Sequence, residues 1–447
     1  MTSTLSAQVT GPVLAAYDEG YADEVAAWNT GATHTPDLVV GATSAADVAA
    51  AIRYAGDHGL HVHVQGTGHG AEASITSGLL ITTRRLDGLV VDPSTRTATI
   101  GAGQRWGAVV EAAAGHGLLP IAGAASTVGV IGLLTGGGLG PLARSHGYAS
   151  DYVLDFTVVT GSGEIVTASA TSHADLFWAL RGGKFGLGVV TSVRVRLVEL
   201  SRLYGGSLMF DAADIEPALR AWVDYTATAD DQVSTSVAII RMPPIEQIPE
   251  ALRGRTLLSV RFAYPGSVSE GASLAAPLRS AAPVYLDALG ELPAGQIARI
   301  HNDPTEPGAS QVYGMLLDPI DQSFATAFLA AFGPTADAPF VSAELRHLGG
   351  AAARDVEGGS AVAGRAGAFA CSLVGVRPDF FAKVLPDAAY DFREAVGPWL
   401  REDCNANLMG LPVTAERLAT MWTEGANDRL GEIRWRYDPD SVLAKPA

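Results

Sequence analysis

Short apolar runs, each closed by glycine or a polar turn, open the chain. Residues 37–43 (DLVVGAT) predict a strand, Ser44 can cap a helix running through His58, and Gly59 can end it. The next strand, HVHVQ at 61–65, runs straight into Gly66-Thr67-Gly68-His69-Gly70. LLIT, LVVDP and TATIGAG predict three more short strands, and 104–115 a helix with Trp106, Val109, Val110 and Ala113 on one face. Residues 151–169 predict a hairpin about Gly161-Ser162-Gly163, DLFWALRGG a short helix, and 187–200 one long strand. From about Ser201 separate strands (SLMF, VSTSVAIIR, TLLSVRFAY) alternate with helices, and glycine loops are few until Gly349-Gly350. That change predicts an α+β second unit and a first boundary near Glu199. The tail from Trp399 reads as a loop, a helix around 415–422 and the ending RYDPDSVL.

With 447 residues, 48% hydrophobic and 17% charged, the chain has apolar material for more than one core. Its formal charge of −17 repels phosphate backbones and anionic headgroups, which argues against nucleic acid and membrane partners. Eight glycines between Gly117 and Ala143 make the longest uncharged stretch unsuited to a membrane helix. Cys371 and Cys404 are too few for a disulfide framework, and the first twenty residues have no secretory pattern, so a reducing cytoplasm is expected. His61 and His63, two apart on a strand, make half a metal site at best, and no metal is expected.

Three glycine segments stand out: 66–70, 129–140 and 182–188. None is a G-x-G-x-x-G turn in a Rossmann setting or a P-loop with Lys-Ser/Thr. A glycine loop at a strand end lets backbone amides approach a phosphate or ring, whereas the bland alternative is tight packing. In order, VQGTGHG at 64–70, TVGVIGLLTGGGLGPLARSHG at 127–147, DLFWALRGGKFGLGVVT at 175–191 and RYDPDSVL at 436–443 resemble the FAD-binding domain of the vanillyl-alcohol-oxidase and p-cresol-methylhydroxylase (PCMH-type) superfamily. The resemblance is to its berberine-bridge-enzyme-like oxidases. It implies an α+β fold: a PCMH-type FAD domain at 1–200 (core about 35–200), an α+β substrate domain at 201–398 whose sheet roofs the flavin, and a segment at 399–447 returning to the FAD domain.

In that family the histidine of the first segment bonds a methyl group of the flavin, and His69 occupies its place. An imidazole nitrogen is a competent nucleophile toward such a carbon, and flanking glycines leave room for the ring edge. Many relatives add a second bond through a cysteine at the position of Ala125, so a single histidyl bond is implied. The resemblance places Gln65, Gly66, Thr67, Gly68 and Gly70 beside the flavin, with Thr127, Gly129, Gly132, Gly136, Gly137, Gly138, Gly188 and Val190 along the dinucleotide. Phe185 and Gly186 depart from the family's small residue and asparagine.

The family's tail motif Tyr-x-Asn-Tyr aligns with Asn405-Ala406-Asn407-Leu408. Only Asn407 is kept, which assigns it to holding flavin or substrate, and Asn405 stands where a catalytic tyrosine would be. In VSAELRHLGGA at 341–351, alternation puts Glu344, Arg346 and Leu348 on one face and Leu345 and His347 on the other. Glu344 is a candidate base. Pairing with Arg346 would lower its pKa and burial would raise it, while a structural ion pair is the alternative. Tyr313 is a further catalytic candidate, or core.

The expectation is an FAD-dependent oxidase, monomer or homodimer, acting on an alcohol or activated C–H of a small or medium molecule. Bacterial secondary metabolism is the expected setting, with dioxygen as acceptor and peroxide as co-product. The alternatives are a flavin oxygenase on a polyketide-like substrate and a non-redox cyclase keeping FAD as structure.

Overall fold

The computed structural model describes residues 2–410 and 414–444. Ser44 opens the helix Ala45–Asp57 by accepting from the Asp47 amide at 3.1 Å, and the helix buries Val48, Ala51 and Ile52 against a four-stranded sheet. In that sheet Leu38–Gly41, Leu79–Thr82 and Val62–Gln65 run parallel, with Val13–Leu14 antiparallel at one edge. A second, antiparallel sheet orders Leu89–Asp92, Thr97–Gly101, Val189–Arg196, Val153–Val159 and Ile165–Ser169. The helix Trp106–Ala114 buries the four residues its periodicity selects.

The run 187–200 is not one strand. Leu197 turns into the core, and Val198–Glu199 pairs instead with Leu118–Leu119. The helix Glu424–Tyr437 is absent from the sequence-based expectation. It buries only Leu430 and Ile433 and so shows no apolar stripe. Beyond it the Asp438 carboxylate accepts from the Val442 and Leu443 amides, and the Val62 amide donates to the Val442 carbonyl, which lays the tail along the first sheet.

The third large sheet has eight antiparallel strands. Its central order is Arg202–Phe210, Thr256–Tyr264, Ser234–Arg241, Ser342–His347, Phe369–Gly375 and Gln311–Leu317. Leu208, Val260, Val237, Leu345 and Leu373 face a core with Trp222, Phe328 and Phe392 from the covering helices. The alternating positions Ser207, Ser259, Arg261, Ser236 and Glu344 face the other way, yet all are buried. Burying a polar carpet is costly unless its groups are paired.

Arg144, from the short helix Ala143–His146, joins this sheet to the glycine-rich half. It is 4% exposed and donates to the carbonyls of Val233, Ala229, Asp230 and Leu348, while its backbone amide donates to Ser234 Oγ. Gly349 (φ +92°) and Gly350 (φ +55°) follow from this: a Cβ on either would meet Arg144 at 2.8 Å or less.

Candidate functional site

The strand Val62–Gln65 delivers the loop 66–70 against residues 27–29. Trp28 N donates to the Thr67 carbonyl at 3.0 Å and Asn29 N to that of Gly68 at 3.2 Å. Gly68 (φ +74°) is obligatory, because the Ala27 Cβ lies 2.6 Å from where its own would be. Gln65 is buried and donates to the Val25 and Ala26 carbonyls, so its side chain braces the segment leading to Trp28.

The indole of Trp28 stacks on the His69 ring, 4.2 Å between centroids and 16° between planes, and the Arg105 guanidinium lies 5.6 Å from the Trp28 centroid. Burial, then the Arg105 charge, lower the His69 pKa to about 4, against a hydrogen bond to the Thr127 backbone and the charge of Asp303. His69 is therefore neutral at physiological pH. Its Nε2 is buried without a partner, as is the hydroxyl of Thr127.

The predicted glycines divide into two groups. Gly136 has no room for a side chain because the Asn407 amide occupies it, Gly138 (φ +83°) packs on Ala149, and Gly188 (φ +109°) packs on Val158. Val190 pairs with Val158 and buries its side chain in the core, so packing explains these positions. Gly70 and Gly132 face open space, Gly66 has no neighbour within 3.5 Å, Gly129 packs on the Thr67 side chain, and Gly137 (φ +100°) faces the Asn405 amide and Val362. Gly66, Gly70 and Gly132 are exposed and present bare backbone on the loops that carry His69 and Thr127.

In the tail the two asparagines exchange the parts expected of them. Asn407 is spoken for: Nδ2 donates to the Leu133 carbonyl at 2.7 Å, and Oδ1 accepts from Lys184 Nζ at 2.9 Å. Asn405, 1% exposed, accepts from the Asn407 amide, and its Nδ2 has no partner. A Cβ on Gly136 would stand 2.2 Å from Asn407 Oδ1. Gly136→Ala is expected to cost about 1–3 kcal/mol by displacing this strut. In a urea-unfolding double-mutant cycle, Asn407→Ala should relieve most of that cost; strict additivity would refute the strut.

Glu72 is a carboxylate that the sequence did not single out. Burial raises its pKa, against the lowering charges of Lys184 and Arg417. Burial in turn pulls the Lys184 ammonium down, and that residue sits at φ +55° in the third glycine segment.

On the polar face of the large sheet, Glu344 forms ion pairs with Arg261 and with Arg346 Nε at 2.8 Å, and lies 3.3 Å from Ser236 Oγ and 3.5 Å from His301 Nδ1. Burial would raise its pKa, but Arg346 and Arg261 outweigh that and hold it well below the usual carboxylate range. Glu344 is thus a weak base, contrary to the part of proton acceptor expected of it. Tyr313 does not join it. Its register partner is Leu373, and it lies in the helix-side core edge-on to Phe340, with its hydroxyl donating to Gln311 Oε1.

A family described as FAD binding domain matches residues 36–169, the region that holds the His69 loop and the second glycine segment. The chain carries an FAD-binding domain. Its whole fold is similar to that of BBE-like 1 from Physcomitrella patens, with TM-score 0.84 at 18% identity, covering 100% of this chain and 98% of that one. (R)-6-hydroxynicotine oxidase of Paenarthrobacter nicotinovorans is 36% identical over 196 residues, 43% of this chain and 43% of that protein, so the chain spans under half the length of this curated relative. Among solved structures, 6-hydroxy-D-nicotine oxidase from Arthrobacter nicotinovorans superposes with TM-score 0.85 at 23% identity, covering 99% of this chain and 98% of that one. Glucooligosaccharide oxidase from Acremonium strictum, a protein with 6-S-cysteinyl, 8α-N1-histidyl FAD, gives 0.82 at 21%, covering 99% and 98%.

The residues of the FAD-binding domain fit the flavin dinucleotide: two orphaned buried polar atoms, on His69 and Thr127, lie on loops whose glycines present bare backbone. Sequence reasoning missed Trp28, Arg105, Glu72 and His301, which carry no periodic signal. Arg261 did carry one, as a charge inside the apolar strand TLLSVRFAY.

Proposed function

We propose that the chain is an FAD-dependent oxidase that holds its flavin through His69 alone and oxidises a small or medium organic molecule at an alcohol or activated C–H. The carrying observation is His69 itself: neutral, half-buried and stacked on Trp28, with its buried Nε2 unpartnered within an FAD-binding domain. The ring's hydrogen bond to the Thr127 backbone leaves the Nε2 lone pair free for attachment. Nε2 is the atom that would hold the flavin covalently. Ala125 offers no second bond.

When bound, FAD accepts two electrons from the substrate and returns them to dioxygen as hydrogen peroxide. The protein supplies placement and the proton path. Asn405 offers an unpartnered amide beside Gly137, and Asn407 and Lys184 brace the loop. A substrate hydroxyl proton needs an acceptor with a pKa near neutrality. Burial raises the pKa of Glu72 while Arg346 and Arg261 lower that of Glu344, and Glu72 is the acceptor we assign. Division into an FAD domain (1–200, with 399–447) and a substrate domain (201–398) belongs to the same reading; the large sheet has its own core, while residues such as Leu203, Ala294 and Ile297 pack into the core of the first unit. No helix among the described residues is long and apolar enough to cross a membrane.

Peptide mass spectrometry after denaturation is expected to find a flavin mass on the peptide holding His69. Screening benzylic and allylic alcohols should give peroxide in air and flavin bleaching without it. Free FAD with an unmodified peptide would reject attachment. Labelled oxygen retained in the product would make the protein an oxygenase, and turnover without bleaching a non-redox enzyme.

A further inference from the structure

The buried polar face of the large sheet carries more positive charge than its own carboxylate answers. Guanidinium groups stay charged at any physiological pH, so Arg261 and Arg346 bring two positive charges to a place where Glu344 brings one negative. His301, 5% exposed, adds none, because burial and the two arginines hold it neutral. Asp303 acts on Arg346 through space without forming an ion pair among the described contacts.

The hydrogen-bond count shows the same excess. Glu344 takes one terminal nitrogen of Arg261 and the Nε of Arg346. Arg261 Nε, in a residue 7% exposed, has no partner, and the two terminal nitrogens of Arg346 have none among the described contacts. These donors are not turned into packed core. Arg261, Arg346 and His301 line a cleft together with Ser234, Ser236 and the segment Leu139-Gly140-Pro141, which directly follows Gly136–Gly138.

We propose that this cleft is an anion-docking subsite: the substrate carries a carboxylate that pairs with Arg346 and Arg261 while its reacting carbon lies toward the glycine loop. The inference rests on the oxidase reading, and it narrows the substrate to an organic acid. Planar guanidinium donors match the two oxygens of a carboxylate, and Glu344 acts as a positioning residue that holds both arginines toward one point. Asp303 offsets part of the second arginine's charge through space but makes no hydrogen bond to it among the described contacts, so the donors left over on Arg261 and Arg346 are what the ligand answers.

The test is isothermal titration calorimetry of the oxidised holoprotein with benzoate and with benzamide, which share a shape and differ in charge. Benzoate is expected to bind about tenfold or more tightly than benzamide, and Arg346→Gln to abolish that preference while flavin content stays unchanged. Arg346→Lys, which keeps the charge but not the paired donors, should retain part of it. Equal affinity for the two probes, no binding of either, or a preference surviving Arg346→Gln overturns the proposal. If Arg346→Gln does not fold, the wild-type comparison decides alone. Peroxide release from neutral alcohols without any benzoate preference would reject the subsite and keep the oxidase. Benzoate binding by a protein that never reduces its flavin would do the reverse.

Discussion

His69→Ala is expected to carry no covalent flavin at all, so that acid precipitation leaves a colourless pellet and a yellow supernatant. Two features make the loss complete. His69, the anchor we propose, is held neutral down to about pH 4, and Ala125, where the family resemblance would put a second bond, offers no thiol. The native variant should nevertheless bind FAD reversibly, because the Thr127 hydroxyl and the bare backbones of Gly66, Gly70 and Gly132 are untouched. Absorbance of the native and denatured protein, with peptide masses, reads both outcomes. A flavin mass persisting on any other peptide would show that the attachment site is elsewhere.

Arg144→Ala should produce the largest loss of stability, about 3–5 kcal/mol. The side chain is 4% exposed and answers four backbone carbonyls in the segments 229–233 and at Leu348, and it lies 3.3 Å from Asp231 Oδ1 and His347 Nε2. Each buried carbonyl left without a donor costs about 1–3 kcal/mol, offset where water enters the vacated space. Asp231 is mostly exposed, so the ion pair itself contributes little of this, and the carbonyls contribute most. Urea unfolding followed by tryptophan fluorescence measures the change. A loss below about 1 kcal/mol would mean that the carbonyls find other donors, and that the join between the two halves does not depend on Arg144.

Much of the architecture could be read before any coordinates. The helices Ala45–Asp57 and Trp106–Ala114 and the hairpin of Val153–Val159 with Ile165–Ser169 follow from periodicity and caps, both local properties of the chain. The strand that breaks at Leu197 and the helix Glu424–Tyr437 escaped the same reasoning. The first fails because the apolar run is continuous across a change of sheet, the second because its buried face is two residues wide.

What the sequence by itself determined is the glycine framework, the histidine inside it and the alanine at position 125, all of them identities at fixed spacing along one stretch of chain. Only the tertiary structure decided what the side chains do. Asn407 became a strut and Asn405 the free amide because Lys184 and Leu133 were brought to the former. Tyr313 fell on the core face because Gln311–Leu317 pairs with Phe369–Gly375 in a register that sets it opposite Leu373. Glu344 became a fixed charge because Arg261, 83 residues earlier, lies two strands away in the sheet. Electrostatic environments depend on which groups are within a few ångströms, and that distance belongs to the fold, not to the spacing of residues along the chain.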